Sequence, residues 1–248
     1  MRPQTTRLFC VFVLLLLGAS ARAGDHLEPD TSAFERDGLY GAFNAELFFE
    51  AFAEGAQARV IVIPSFEPEY AVWISVRNGT SRIISSHPEA PLESYDPEKL
   101  AGANPNPEPL QPGSPPEKED ALLTRFVRGI KLVRCEVVIE PGLAQRIARI
   151  WEEMLLQTRY DRPIVTINAR GQTIERIRVV ADGTAYHFSM STGIHDWAGY
   201  VGSPSDGTVT GDLVRITDAM RKLCQTHDWS VKPELTRLTE NLLRRLGK

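Results

Sequence analysis

The sequence predicts an α+β fold, in which a mostly antiparallel sheet is covered by amphipathic helices. Three predicted hairpins and clustered strand-like segments indicate antiparallel pairing. The helical patterns stand apart from the strands and do not alternate regularly with them, which argues against a doubly wound parallel sheet. The 248 residues, 42% hydrophobic and 24% charged, have an ordinary globular composition.

The N-terminal 23 residues have the pattern of a secretory signal peptide. Arg2 and Arg7 precede an eleven-residue apolar run at 8–18, and an Ala-Arg-Ala sequence then supplies the small residues that signal peptidase needs. A membrane-spanning helix takes about 20 apolar residues, so this run is too short to be one. We therefore expect cleavage before Gly24, no stable membrane insertion afterwards, and a soluble periplasmic or secreted protein.

Charge and cysteine content narrow the range of partners and the cell compartment. Without residues 1–23 the chain has 25 Lys and Arg against 32 Asp and Glu, a formal charge of −7. Because nucleic-acid affinity comes largely from basic groups that neutralise phosphates, this balance predicts no nucleic-acid partner. Cys135 and Cys224 are the cysteines that remain, and an oxidising compartment would permit them to pair. We expect both to be buried, while their spacing leaves open whether they form a disulfide.

The first half of the mature chain predicts a leader, a helix and three strands. Residues 24–37 are polar without periodicity and predict a flexible leader before a single domain, residues 38–248. Apolar residues then recur at helical spacing as far as Gly55, a residue that commonly ends helices. Asn78-Gly79 predicts a tight hairpin turn. The strand-like segments are 58–63, 70–76 and 81–85.

A proline-rich segment separates the two halves of the predicted domain. Residues 87–116 hold nine of the seventeen prolines and few apolar residues. Proline removes a backbone donor and is confined to edges and turns of sheets, so this segment predicts a long surface loop.

The second half predicts four more strands and three helices. Pro141-Gly142 opens a helix with one apolar stripe, and two further amphipathic helices close the chain. Leucines at 235, 238, 242 and 246 line the last of them. The predicted strands are 131–139, 164–168, 173–180 and 184–190.

One segment, residues 186–207, has the densest mixture of polar and aromatic side chains. In a hydrolytic interpretation, a serine such as Ser189 is the nucleophile, His187 or His195 is its base, and Asp196 orients the base. In a metal interpretation, His187, His195 and Asp196 bind zinc, with His227 and Asp228 as further candidates. The simplest interpretation is a half-buried strand followed by a loop whose Trp197 and Tyr200 cover the edge of the core.

Several short sequences, in a fixed order along most of the mature chain, resemble a pattern found in uncharacterised exported bacterial proteins. These sequences are Phe66…Glu69, Trp151…Arg159-Tyr160, Asp182-Gly183…Tyr186-His187-Phe188, Gly199 and Ser203-Pro204. The resemblance implies export and a shared fold. It implies no catalytic residue.

The sequence contains no phosphate-binding glycine loop, His-Glu-x-x-His, Cys-x-x-Cys or Gly-x-Ser-x-Gly motif. We therefore expect an exported protein that binds a protein or an envelope component without catalysis, uses no cofactor or metal, and contacts its partner through Trp197 and Tyr200. The alternative is a periplasmic hydrolase built on residues 186–207.

Overall fold

The described part of the chain contains nine strands, three α-helices and a short 3-10 helix, together with the turns that join them. This computed structural model describes residues 25–30, 44, 46–91, 127, 129–160, 164–167, 173–176, 183–192 and 195–248. The strands are β1 (Glu28–Pro29), β2 (Ala56–Ile63), β3 (Tyr70–Arg77), β4 (Thr80–Pro88), β5 (Leu132–Ile139), β6 (Ile164–Ile167), β7 (Thr173–Arg176), β8 (Ala185–Ser191) and β9 (Asp196–Gly202). The helices are α1 (Pro141–Leu156), α2 (Val209–Thr226) and α3 (Val231–Arg245).

Seven of these strands form one antiparallel sheet in the order β1-β9-β8-β2-β3-β4-β5, and β6 and β7 form a separate antiparallel pair. The strands from β2 to β5 are joined in sequence, each lying beside the next. The β8–β9 hairpin then pairs with the free side of β2. The predicted α+β class with a mostly antiparallel sheet is confirmed.

The turn between β3 and β4 is the one that the sequence predicts. Asn78 and Gly79 both have positive φ, 51° and 73°. A two-residue turn with this geometry matches the right-handed twist of the strands it joins, and Asn-Gly adopts it at little cost. The local sequence therefore sets the register of β3 against β4.

Two of the helices, α1 and α2, pack against one face of the main sheet, which we call the helix face, and α3 packs against these two helices. The predicted apolar stripe of α1 is buried there, and α2 begins at Thr208, whose hydroxyl accepts a hydrogen bond from the Gly211 N–H at 2.9 Å. The largest cluster of buried side chains lies between these helices and the sheet. None of the helices in the described ranges is both long enough and apolar enough to cross a membrane.

A smaller apolar cluster covers part of the opposite face of the sheet. Leu47, Phe48 and Ala51 pack there against Trp73 and Ile84. The helix predicted to end at Gly55 is here a short 3-10 helix, Phe49–Phe52, preceded by helical residues at 44, 46 and 47. The central strands are therefore buried on both faces.

The prediction of a flexible leader over 24–37 is wrong for residues 25–30. Glu28 and Pro29 pair with β9, and the side chain of Leu27 is fully buried in the main cluster. Leu27 packs against Gly199, where a Cβ atom would stand 2.9 Å from the leucine Cβ. Because Gly199 has no side chain, β9 leaves room at this point for the side chain of Leu27.

The proline-rich loop begins later than predicted. His87 and Pro88 are still part of β4, where they pair with Val133 and Leu132 of β5. Pairing of β4 with β3 ends at Ser86, so the missing N–H of Pro88 costs no hydrogen bond on that side. Residues 92–116 of the loop, residues 31–37 of the leader and the predicted signal peptide lie outside the described residues.

Candidate functional site

The predicted site segment, residues 186–207, contains two paired strands, β8 and β9, and not one strand followed by a loop. The prediction of a loop after β8 is wrong, because Asp196–Gly202 pairs with β8 along its whole length as β9. Side chains alternate between the two faces of a sheet. The hairpin therefore divides the candidate residues between the helix face and the opposite face.

His187 and Ser189 lie together on the opposite face, but each is bonded to a different partner. The Nδ1 atom of His187 is 2.7 Å from the Oδ2 atom of Asp30, a residue just after β1. The Ser189 hydroxyl accepts a hydrogen bond from the Nε of Arg59 at 2.6 Å. The Asp30 carboxylate therefore orients His187, as it would orient a catalytic base. The Ser189 hydroxyl, however, is hydrogen-bonded to Arg59 and not to His187.

Arg59 is a buried cation on the opposite face of β2. Its guanidinium carbon lies 4.4 Å from the centroid of the Phe52 ring, and Asp196 provides a nearby negative charge. Burial lowers the pKa of Arg59, and Asp196 opposes that shift. Ser189 and Asp196, both candidates for catalysis in the sequence, therefore stabilise this cation in the structure.

His195 lies apart from His187. Its ring stacks with Trp197, with ring centroids 6.2 Å apart, and Trp197 packs against the main cluster on the helix face. The two histidines that the metal interpretation combines thus lie on opposite sides of the hairpin.

His227 and Asp228, the further metal candidates, both take part in local structure. His227 ends α2 in a left-handed conformation, with φ 52°, and the Asp228 carboxylate accepts a hydrogen bond from the Ser230 N–H at 2.9 Å. Across the described residues, no group of three or more His, Cys, Asp or Glu could hold a metal ion.

Trp197 and Tyr200, the predicted binding residues, are on opposite faces of β9. Trp197 packs against the main cluster, whereas the Tyr200 ring lies 5.2 Å from the His187 ring on the other face. Burial raises the pKa of Tyr200, with Glu28 and Asp30 acting in the same direction. The two aromatic side chains therefore do not form one continuous surface.

A tyrosine cluster that the sequence analysis missed joins α2 to the sheet. Tyr70 and Tyr186 flank Val62 on the helix face. The Tyr70 hydroxyl donates to Asp218 Oδ1 at 3.5 Å, and the Arg221 guanidinium carbon is 3.7 Å from the centroid of the Tyr70 ring. Asp218 and Arg221 are one turn apart on α2, which is the only part of this arrangement visible in the sequence.

The tyrosines of this cluster have strongly shifted pKa values. Burial, with a further contribution from Asp218, raises the pKa of Tyr70 and raises that of Tyr186 to about 12. Burial also raises the pKa of the Asp218 carboxyl, and Arg221 opposes that change. Perturbed groups often mark functional sites, but ion-pair networks that stabilise a fold produce the same shifts.

We predict that these tyrosines make folding sensitive to alkaline pH. An unfolded tyrosine loses its proton near pH 10, whereas the folded chain holds the protons of Tyr70 and Tyr186 to higher pH. The stability contribution is therefore complete below about pH 10 and is lost as the pH rises towards the folded pKa values. Urea unfolding from pH 8 to 11 should show a shallower decline for a Tyr70→Phe/Tyr186→Phe variant than for the wild type. Tyr160→Phe, at an exposed tyrosine, is the matched control, and an unchanged decline in the double variant would contradict the prediction.

The strand at the far end of the sheet, β5, has an unusual combination of features. The structure describes no strand on its outer side, and Leu132, Val133 and Val138 expose 36%, 43% and 53% of their surface. Between them, an Arg134 amino group donates to the Glu136 carboxylate at 3.0 Å. The apolar side chains of this edge are therefore accessible, and its central charges neutralise each other.

A disulfide fastens β5 to α2. Cys135 and Cys224 are bonded, with their Cα atoms 5.7 Å apart. Cys224 is fully buried, as expected, whereas Cys135 is only half-buried because it belongs to the edge strand. The bond holds the middle of the edge strand against the helix that covers it.

Comparisons with protein-family models, curated proteins and solved structures found no match to this chain.

Proposed function

We propose that this protein is exported and acts by binding another protein through the outer edge of β5. The observation that carries the proposal is the accessible edge of β5, eight residues long, with three exposed apolar side chains. An exposed sheet edge offers backbone donors and acceptors to an extended segment of a partner, and its side chains add specificity. By contrast, the residues that the sequence predicted as a site lie on two different faces of the sheet, and several of them form hydrogen bonds within the fold.

The two edges of the main sheet differ in a way that favours this function. Proteins protect exposed edges with very short strands, proline or charged side chains. The edge at β1 has such protection, because that strand has two residues and one of them is Pro29. The β5 edge is long, and its Arg134 and Glu136 offset each other's charge.

The Cys135–Cys224 disulfide supports both parts of the proposal. Disulfides form and persist mainly in oxidising compartments outside the cytosol. The Cys135–Cys224 bond therefore agrees with the export that the signal-peptide pattern of residues 1–23 predicts. The disulfide also holds β5 against α2 before any partner binds. Binding then costs less entropy, because β5 is already ordered.

Site-specific photocrosslinking in the producing cells tests this function. With p-benzoylphenylalanine at Val133 or Val138, we expect a covalent adduct with a second polypeptide. The same probe at Leu156, which is 59% exposed on α1, is the matched control and should give little adduct. N-terminal sequencing of the adduct should show a mature chain that begins at Gly24.

Two results would contradict the proposal. One is an equal yield of adduct at all three positions, which would mean that β5 is not a preferred contact. The other is an adduct that retains Met1, which would mean that the binding form is not the exported one.

A further inference from the structure

We infer that the partner at the β5 edge is a second copy of this chain, with the two β5 strands paired antiparallel about a twofold axis at Cys135. This inference rests on the proposed function and identifies the partner. A twofold contact uses the same surface on both copies, so the edge must be complementary to itself. The sequence of β5 meets that condition.

The charges of β5 are complementary in this arrangement. Antiparallel pairing centred on Cys135 places Arg134 of one copy opposite Glu136 of the other, and the reverse pair occurs on the far side of the axis. Both residues point to the face of the sheet away from the helices, since they pair with Ser86 and Ile84 of β4. Opposite charges directly across two strands stabilise their pairing, whereas like charges destabilise it.

The apolar side chains match in the same register. Leu132 lies opposite Val138 of the other copy on one face, and Val133 lies opposite Val137 on the helix face. Leu132, Val133 and Val138 are the exposed apolar residues of the strand, and each of them gains an apolar neighbour. The pairing therefore covers the apolar surface that a single copy leaves in water.

Neighbouring registers that keep the same faces together lose this match. With the axis at Arg134, Leu132 would face Glu136; with the axis at Glu136, Arg134 would face Val138. Each shift places a charge against an apolar side chain and removes both opposite-charge pairs. The sequence thus selects the Cys135 register among those available.

The existing ion pairs of β5 can extend across the axis. Arg134 Nε already lies 3.2 Å from a Glu50 carboxylate oxygen, and Arg82 Nε lies 2.8 Å from Glu136. All four side chains are partly exposed, so they can turn towards the second copy without being pulled from a core. An axis perpendicular to the sheet also keeps the helices of both copies on the same side.

Charge reversal with the mature chain, residues 24–248, tests this register. Sedimentation equilibrium of the wild type should show a monomer–dimer equilibrium in the micromolar range. Arg134→Glu and Glu136→Arg each turn two attractive pairs into repulsive ones, so each should raise the dimer Kd by roughly tenfold or more. Arg149→Glu, at an exposed arginine of α1, is the matched control and should leave the Kd unchanged.

A mixture of the two single variants separates pairing from any loss of stability. The Arg134→Glu chain has two acids and the Glu136→Arg chain has two bases, so each repels itself but complements the other. Equal amounts of both should form a heterodimer with a Kd near that of the wild type. A variant that had merely lost intrachain ion pairs would not regain association in this way.

The failure of this inference is distinguishable from the failure of the proposed function. A wild type that stays monomeric, or a mixture that does not associate, overturns the twofold pairing. If photoadducts at Val133 and Val138 then contain a different protein, binding at the β5 edge still stands. If neither a dimer nor a β5-specific adduct is found, both proposals are wrong.

Discussion

Trp151→Ala is expected to lower the free energy of unfolding by about 4 kcal/mol, as is typical when a large buried aromatic residue is truncated. Trp151 is fully buried on α1. Its indole N–H donates to the Arg59 carbonyl at 3.0 Å, and its ring meets Phe188 edge-on at 5.5 Å between centroids. The substitution therefore removes packing, an aromatic contact and the hydrogen bond that joins α1 to β2.

Urea denaturation of the purified chain of residues 24–248 measures this effect. Glu152→Ala, the adjacent exposed position on α1, is the control and should change the unfolding free energy by no more than about 0.5 kcal/mol. Trp151→Phe should lose an intermediate amount, since it keeps an aromatic ring but leaves the Arg59 carbonyl without its donor. A loss below about 2 kcal/mol for Trp151→Ala would contradict the placement of this residue at the centre of the core.

The parts of the fold that local sequence determines could be predicted. The stripe of α1 repeats with the helical period, and Asn78-Gly79 has the composition that a tight hairpin turn demands. The central strands, β2 and β3, have continuous apolar runs because both of their faces are buried. In each case the pattern lies within one segment and needs no knowledge of distant residues.

The sequence did not predict the strands β1 and β9, because neither has a local composition that favours a strand. β9 contains two glycines in seven residues, a composition that disfavours strands when it is considered alone. Its pairing with β8 on one side and β1 on the other supplies the hydrogen bonds that stabilise it. Leu27 is a single apolar residue in a polar segment, so no periodicity could mark it as buried.

The candidate site was less predictable than the fold, since its contacts join remote segments. The hydrogen bond between Arg59 and Ser189 connects residues 130 positions apart. Likewise, β5 could be predicted as a strand but not as an edge, because the position of a strand in a sheet depends on the order of all the others. The order of residues around Cys135 suggests pairing between two copies only once β5 is known to be an edge strand.

The second large effect is expected from the disulfide between Cys135 and Cys224. The two cysteines are 89 residues apart in the sequence. In the chain-entropy model, cross-linking a loop of this length stabilises a protein by roughly 4.6 kcal/mol. We expect a Cys135→Ala/Cys224→Ala variant to lose about that amount, and the wild type to lose a similar amount on reduction.

The loss should be largest in β5, because in a single copy the described residues place a neighbouring strand on only one side of it. Without it, the amides of β5 should exchange hydrogen faster than those of β2 and β3, which are paired on both sides. Hydrogen-exchange mass spectrometry of the oxidised and reduced protein, with and without urea, would measure both effects together. The double alanine variant is the control, since reduction should not change its exchange pattern. Equal stability in the oxidised and reduced forms would contradict the prediction. Equal acceleration of exchange in β5 and β2 would show that the bond stabilises the whole fold and not the β5 edge in particular.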